Sequence, residues 1–230
     1  MSGLAMHLAL ADKILGLTGD KIKNIPLFFS GSVVPDAILF KPNLKPGEKT
    51  RTHLWDGLDG EPSPFTRPEN VKCFYERVAA FITLFYRAGA PDADLIIGYV
   101  SHIMMDVLEH IHIHRMFGKI PHDPKTSYDD FFRQVMKDMG ACDLRVTTDY
   151  VYSRDLFSTL DVWDYEVKGY ADREEIVIAK RELLDVRLKR RGENRSTVYF
   201  HYKDALGFIE KTAQNIVESL SDGIELPKIL

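Results

Sequence analysis

Cysteine is scarce in this chain: Cys73 and Cys142 are the only two among 230 residues. Two thiols so far apart build neither a disulfide framework nor a cysteine-type zinc site, and they fit a reducing compartment. There is no uninterrupted apolar run of the roughly 18 residues that a membrane-spanning helix needs, so no transmembrane segment is expected. Neither sign of charge dominates. The formal net charge is −4, which gives nucleic acid no electrostatic reason to bind. Repeats, low-complexity tracts and convincing domain boundaries are also lacking. The N-terminal segment Met1 to Asp12 contains Ala-Leu-Ala but has no positive leading region, and His7 interrupts what would be its apolar centre. It reads as mature sequence, with a cytoplasmic location expected.

What the chain does have is helical periodicity and enough hydrophobic residues, 45% of the total, for a sizeable core. Leu4 to Leu15 is a first helix, with Gly16 as its natural stop. Ile25 to Val34 is a second apolar run, opened by Pro26 and closed by Pro35, with Asp36 just after it. The stretch from Ala37 to Arg67 is rich in Pro, Gly, Lys and Asp and reads mostly as loop; a long loop in a compact domain is more often functional than idle. Asn70 to Ala88 returns to helix with a stripe of Phe74, Val78, Phe81, Ile82 and Phe85. Asp92 is placed to cap the helix that follows. Tyr128 to Met139 is helical until Gly140, Thr147 to Asp164 fits helix or extended chain equally, and Glu174 to Arg191 and Val198 to Leu220 are two further amphipathic helices. The expected fold is mainly α: one helical domain over 1–230, the chemistry in 1–125 and the C-terminal helices packed on it.

The chemistry concentrates in Gly98-Tyr-Val-Ser-His102-Ile-Met-Met-Asp106-Val-Leu-Glu-His110-Ile-His112-Ile-His114, inside a helix predicted from about Asp92 to Phe117. His102, Asp106 and His110 are four apart, so each successive side chain rotates only about 40° and all three face one sector. His112 lies about 120° from Asp106 on the other side, and His114 about 80° from it, away from His102. A carboxylate and several imidazoles inside an apolar helix are costly to bury unless something compensates, and a divalent metal does so. For a lone histidine such as His114 the ordinary reading, a hydrogen-bonded or exposed side chain, is preferred. For His102 with Asp106, metal ligation is preferred, because partners occur elsewhere in the chain.

Those partners are Met6-His7, Gly31-Ser-Val-Val-Pro35-Asp36 and Thr52-His53-Leu-Trp. In this order, and followed by Gly98-Tyr-x-x-His102-x-x-x-Asp106, they resemble the zinc-dependent phospholipase C family over about the first half of the chain, from His7 to His112. The resemblance implies that Asp36, His53, His102 and Asp106 hold one zinc and that His7 joins Asp106 at a neighbouring one, with Asp106 bridging. It implies that Asp36 also activates the attacking water, and that His112 is a ligand of a further metal. The other ligands of that further site have no clean counterpart: Thr126 stands where the glutamate would be, and His122 is near the histidine's place. Glu109 and His110 are the alternatives, since helix geometry aims them at the site. Secreted members use their terminal amine beside the first histidine, whereas here several residues precede His7. The chain resembles a reduced, intracellular relative, and a choline-phospholipid substrate does not follow.

The expected function is a metal-dependent phosphoric-ester hydrolase holding one to three divalent ions, zinc first, and acting on a small phosphate ester or a lipid head group. Asp36 is the expected proton acceptor, and Asp12 and Glu109 are candidates to orient the imidazoles. The alternative is a non-catalytic metal-binding or interaction protein that keeps the fold. A phosphohydrolase of the His-Asp type is disfavoured, because the only such pair, His122-Asp123, sits in a Pro-flanked connector. The basic run from Lys180 to Arg191 reads as a solvated helix face, His201 as a core histidine, and Trp55 and Trp163 as packing residues.

Overall fold

The computed structural model describes residues 3–61, 63–119, 126–156, 166–182 and 196–221. Over these the chain is mainly α-helical, as the periodicity predicts, and contains no β-strand beyond one isolated bridge between Val167 and Ala171. Eight helices follow in order: α1 (Leu4–Thr18), α2 (Ile25–Gly31), α3 (Glu48–Thr52), α4 (Pro68–Phe85), α5 (Ala93–Phe117), α6 (Tyr128–Val146), α7 (Arg173–Glu182) and α8 (Tyr202–Ser221). Buried residues from Leu4 in α1 to Ile216 in α8 form one contiguous core.

Helix α5 is the axis. Its middle is buried on every side, from Gly98 through Glu109. Helix α2 crosses it at two glycines. A Cβ on Gly31 would lie 2.1 Å from the Leu95 carbonyl oxygen, and one on Gly98 would lie 2.1 Å from that of Phe28. Only glycine at both positions lets the backbones approach so closely. Asn24 caps α2 by accepting from the Leu27 amide, and Pro26 fills its first turn. Asp92 does stand at the N-cap of α5, but its side chain makes no capping bond. Asp94 instead accepts from the amides of Lys23 and Asn24, which ties the start of α2 to the start of α5.

Helix α8 lies along α1, with α6 beside both. Asp143 of α6 accepts from the Met6 amide at 2.9 Å, completing the N-terminus of α1. Asp138, buried in the same helix, gathers the amides of Val198, Tyr199 and Phe200 on one oxygen, at 3.0, 2.7 and 3.1 Å. That bond set keeps 198–200 out of the helix, so α8 begins at Tyr202 rather than at Val198.

Two predicted stops are not stops. Helix α1 runs through Gly16 to Thr18, with Gly19 at φ 55° as the actual end, and α6 runs through Gly140 to Val146. Both glycines are exposed and cost only about 1 kcal/mol relative to alanine. Buried Val135, Met139, Cys142 and Val146 continue the apolar stripe across Gly140 and outweigh that cost. The stretch from Ala37 to Arg67 is mostly turn and loop, as expected, but three short helical pieces interrupt it. The turn Val34–Phe40 is a 3-10 helix whose first turn carries Asp36; α3 follows, then a short 3-10 turn at Pro64–Thr66. Thr147–Val151 prolongs α6 as a π-helical turn. His122, Asp123 and Trp163, and the basic run beyond Glu182, lie outside the described residues.

Candidate metal centre

Four elements bring five polar side chains into the core. His7 comes from α1, Asp36 from the 34–40 turn, His53 from the end of α3, and His102 with Asp106 from one face of α5. His7, His102, His53 and Asp106 are at most 1% exposed, while Asp36 is 17% exposed. The cluster therefore meets solvent at the Asp36 edge.

Local bonds explain how each ligand is aimed. The His102 ring donates from Nδ1 to the Ser32 carbonyl at 2.8 Å, leaving Nε2 free to face the centre. The His53 Nδ1 lies 3.0 Å from the Lys49 carbonyl, so its Nε2 also faces inward. Thr52 donates to the carbonyls of Lys49 and Pro35, and Tyr99 of α5 donates to the Thr52 carbonyl, so α3, the Asp36 turn and α5 are bonded together around His53. Leu54, directly after His53, holds φ at 62°, a left-handed conformation that non-glycine residues seldom adopt. Its carbonyl, with that of Asp56, is held by Arg77.

The inward atoms are close. The two oxygens of Asp106 face different imidazoles: Oδ1 is 3.4 Å from His7 Nε2, and Oδ2 is 3.3 Å from His53 Nε2. His53 Nε2 is also 3.3 Å from His102 Nε2 and 3.5 Å from Asp36 Oδ1. His7 and His102 stack, with ring centroids 3.7 Å apart. Two triads, His7–His102–Asp106 and Asp36–His53–His102, each present one ligand atom per residue within 4.8 Å of one another. Both nitrogens of His7 and both oxygens of Asp106 are buried with no hydrogen-bond partner. Buried polar atoms are nearly always bonded, so His7 Nε2 and the two Asp106 oxygens, orphaned among inward-facing imidazoles, suit a bound cation. The residues fit a divalent metal centre.

The electrostatics agree. Burial alone would raise the Asp106 carboxyl, but His53 and His7 hold it well below the usual carboxylate range. Burial opposes ionisation of Asp36 as well, and there His53 and the Lys49 ammonium win. Burial disfavours a proton on His53, yet Asp106 and Asp36 raise its pKa. His102, by contrast, is pushed down to about 3, first by burial and then by His7, so its Nε2 lone pair stays bare. Ionised carboxylates that draw a proton toward His53 draw a metal ion equally well.

The remaining predicted ligands lie elsewhere. His110 shares the azimuth of Asp106 but stands one turn farther along α5, where its Nδ1 meets Ser63 Oγ at 3.1 Å and Trp55, Phe65 and Phe132 surround the ring. His112 faces α8 and packs against Phe208 and Phe200. Burial lowers the pKa of both. His114 packs beside Tyr128, and His201 is not a core residue: it is exposed and bonded to Thr197. Asp12 does not orient an imidazole; it accepts from Tyr150 and Arg154 at the end of the π-helical turn. Glu109 is buried but belongs to neither triad. Trp55 packs as expected, stacked on His53 and Phe65.

Sequence reasoning passed over Lys49. It stands one helical turn before His53, and its Nζ lies 2.7 Å from Asp36 Oδ1. That four-residue spacing was the available signal. Cys73 and Cys142 are both free thiols. No described helix is long and apolar enough to cross a membrane. No family model matches the chain, and no curated protein or solved structure is significantly similar to it.

Proposed function

We propose that the protein is a metal-dependent phosphoric-ester hydrolase with a two-zinc centre of the zinc phospholipase C type. The observation that carries this reading is Asp106, whose two oxygens face His7 and His53 separately, the disposition of a bridging carboxylate. Imidazole and carboxylate ligands suit zinc, and the ordered motifs that resemble the zinc-dependent phospholipases support the same ion. Asp36, His53, His102 and Asp106 would hold one ion, and His7 would join Asp106 at the second. His102, its Nδ1 donated to Ser32, has only Nε2 to offer and serves one ion. Zinc bound there supplies Lewis acidity toward a phosphoryl oxygen and makes water a stronger acid. Asp36 is ionised and is the most exposed of the five, so it takes the proton from the attacking water. Ser32 and Lys49, through their carbonyls, keep the His102 and His53 rings in register. The substrate is a small phosphate ester or a lipid head group. Metal analysis of the purified protein, followed by a panel of phosphomonoesters and diesters, tests the reading. Metal-dependent hydrolysis that falls at least roughly 10²-fold in Asp36→Asn, with metal retained, is the expected result.

A second reading, a non-catalytic metal-binding protein, is favoured by the burial of the cluster and by Lys49 standing at its open edge. Metal-loaded protein inert toward the whole panel would select it.

A further inference from the structure

At the open edge of the cluster, one oxygen does two jobs. Asp36 Oδ1 lies 3.5 Å from His53 Nε2 and 3.9 Å from His102 Nε2, the two imidazoles of its triad. The same oxygen is 2.7 Å from Lys49 Nζ. A metal ion seated in that triad and the Lys49 ammonium would therefore share one carboxylate oxygen. Two cations so close repel, at a site where surrounding protein limits screening by water. Lys49 is 14% exposed and Asp36 17%, while the other four ligands are sealed, so the ammonium stands where any solvent-borne ligand must arrive.

We infer that Lys49 is an exchangeable counter-ion: it neutralises Asp36 in the metal-free protein, yields that oxygen to the metal, and then binds an oxyanion at the same edge. The ligand class is a tetrahedral phosphate or phosphate monoester, whose negative oxygens suit a point-charge ammonium beside a divalent centre. Lys49 is not itself a metal ligand, since an ammonium has no lone pair to offer. The inference rests on the metal-centre reading and extends it to the anion; it does not require that the anion be hydrolysed.

The test compares wild type, Lys49→Met and Lys49→Arg, first as chelated protein titrated with zinc and then as zinc-loaded protein titrated with inorganic phosphate by calorimetry. Lys49→Met should bind zinc about tenfold tighter, because a competing cation is gone, and phosphate about tenfold more weakly. Lys49→Arg should restore phosphate binding. In an Asp36→Asn background the zinc effect of Lys49→Met should disappear, because the shared charge is absent. If Lys49→Met instead weakens zinc, the lysine only buttresses Asp36; if phosphate affinity does not change, it is no anion ligand. Either result overturns the inference. Lys49-dependent phosphate binding in a protein that cleaves no ester would leave it standing while removing the hydrolase. Ester hydrolysis with both binding constants unmoved by Lys49→Met would do the reverse.

Discussion

A side chain on Gly98 would collide with the backbone of Phe28: an ideal Cβ there falls 2.1 Å from the carbonyl oxygen. This contact sets the depth at which α2 seats on α5, and four residues after Phe28 the Ser32 carbonyl receives His102. Fold and site are coupled at that crossing. Gly98→Ala should therefore lower stability by about 1–3 kcal/mol, because backbone rather than a flexible side chain must yield, and should weaken metal binding as Ser32 moves off His102. Denaturant unfolding and metal content measure the two effects. Normal values for both would show that the crossing is not what positions His102.

Asp138 makes a second prediction, remote from the metal centre. One of its oxygens holds three amides at 198–200, while Gln134 donates to the other. Asp138→Ala should cost about 3 kcal/mol by leaving those donors unpaired, and Asp138→Asn should recover part of the loss. Metal content should not change. A stability loss within about 0.5 kcal/mol, the range of an ordinary surface change, would contradict the role.

Much of the fold is legible in the sequence because most helices carry their own apolar stripe. Helix α5 is recognisable from Leu95 to Ile113 without any partner. Helix ends were harder to place, since Gly16 and Gly140 look like stops only while the packing on either side is invisible. Within the site, periodicity puts His102 and Asp106 on one face, but it gives azimuth and not depth. His110 has the right azimuth and lies a turn beyond the cluster, against Trp55 and Phe65. His7, Asp36 and His53 have no periodic relation to α5, so their convergence was legible only from the ordered motifs. Lys49 was in plain view one turn before His53, but its bond to Asp36 depends on how α3 is tied to the 34–40 turn.

The placement of the α5 histidines predicts a division among alanine variants. His7→Ala should lose one ion per chain. His112→Ala should retain the full metal content, since its ring packs against Phe200 and Phe208. His110→Ala should also keep metal while losing stability, because it empties a slot among Trp55, Phe65 and Phe132. Loss of metal from His112→Ala would restore the further site that the family resemblance implies.

Burial lowers the pKa of His110 and His112 from the ordinary 6.5. Between the lowered folded pKa and about 6.5 the unfolded chain binds more protons, so stability falls as pH drops through that window. In chelated protein His102, pushed down further, adds to this decline, and His53, raised by its carboxylates, opposes it. The His110 share is therefore read as the difference between wild type and variant, each unfolded from about pH 7 to about pH 5. His110→Phe, which keeps a ring in the aromatic slot, should flatten the slope. A variant with the wild-type slope would mean that His110 does not contribute.

The bridging role of Asp106 is tested most directly by counting metal ions in Asp106→Asn, a variant of nearly the same shape that lacks the charge. Wild-type protein loaded with zinc and freed of excess should carry two ions per chain. Asp106→Asn should carry one or none while keeping its helical circular dichroism. Two ions retained in the variant, or fewer than two in the wild type, would contradict a dinuclear centre built on Asp106.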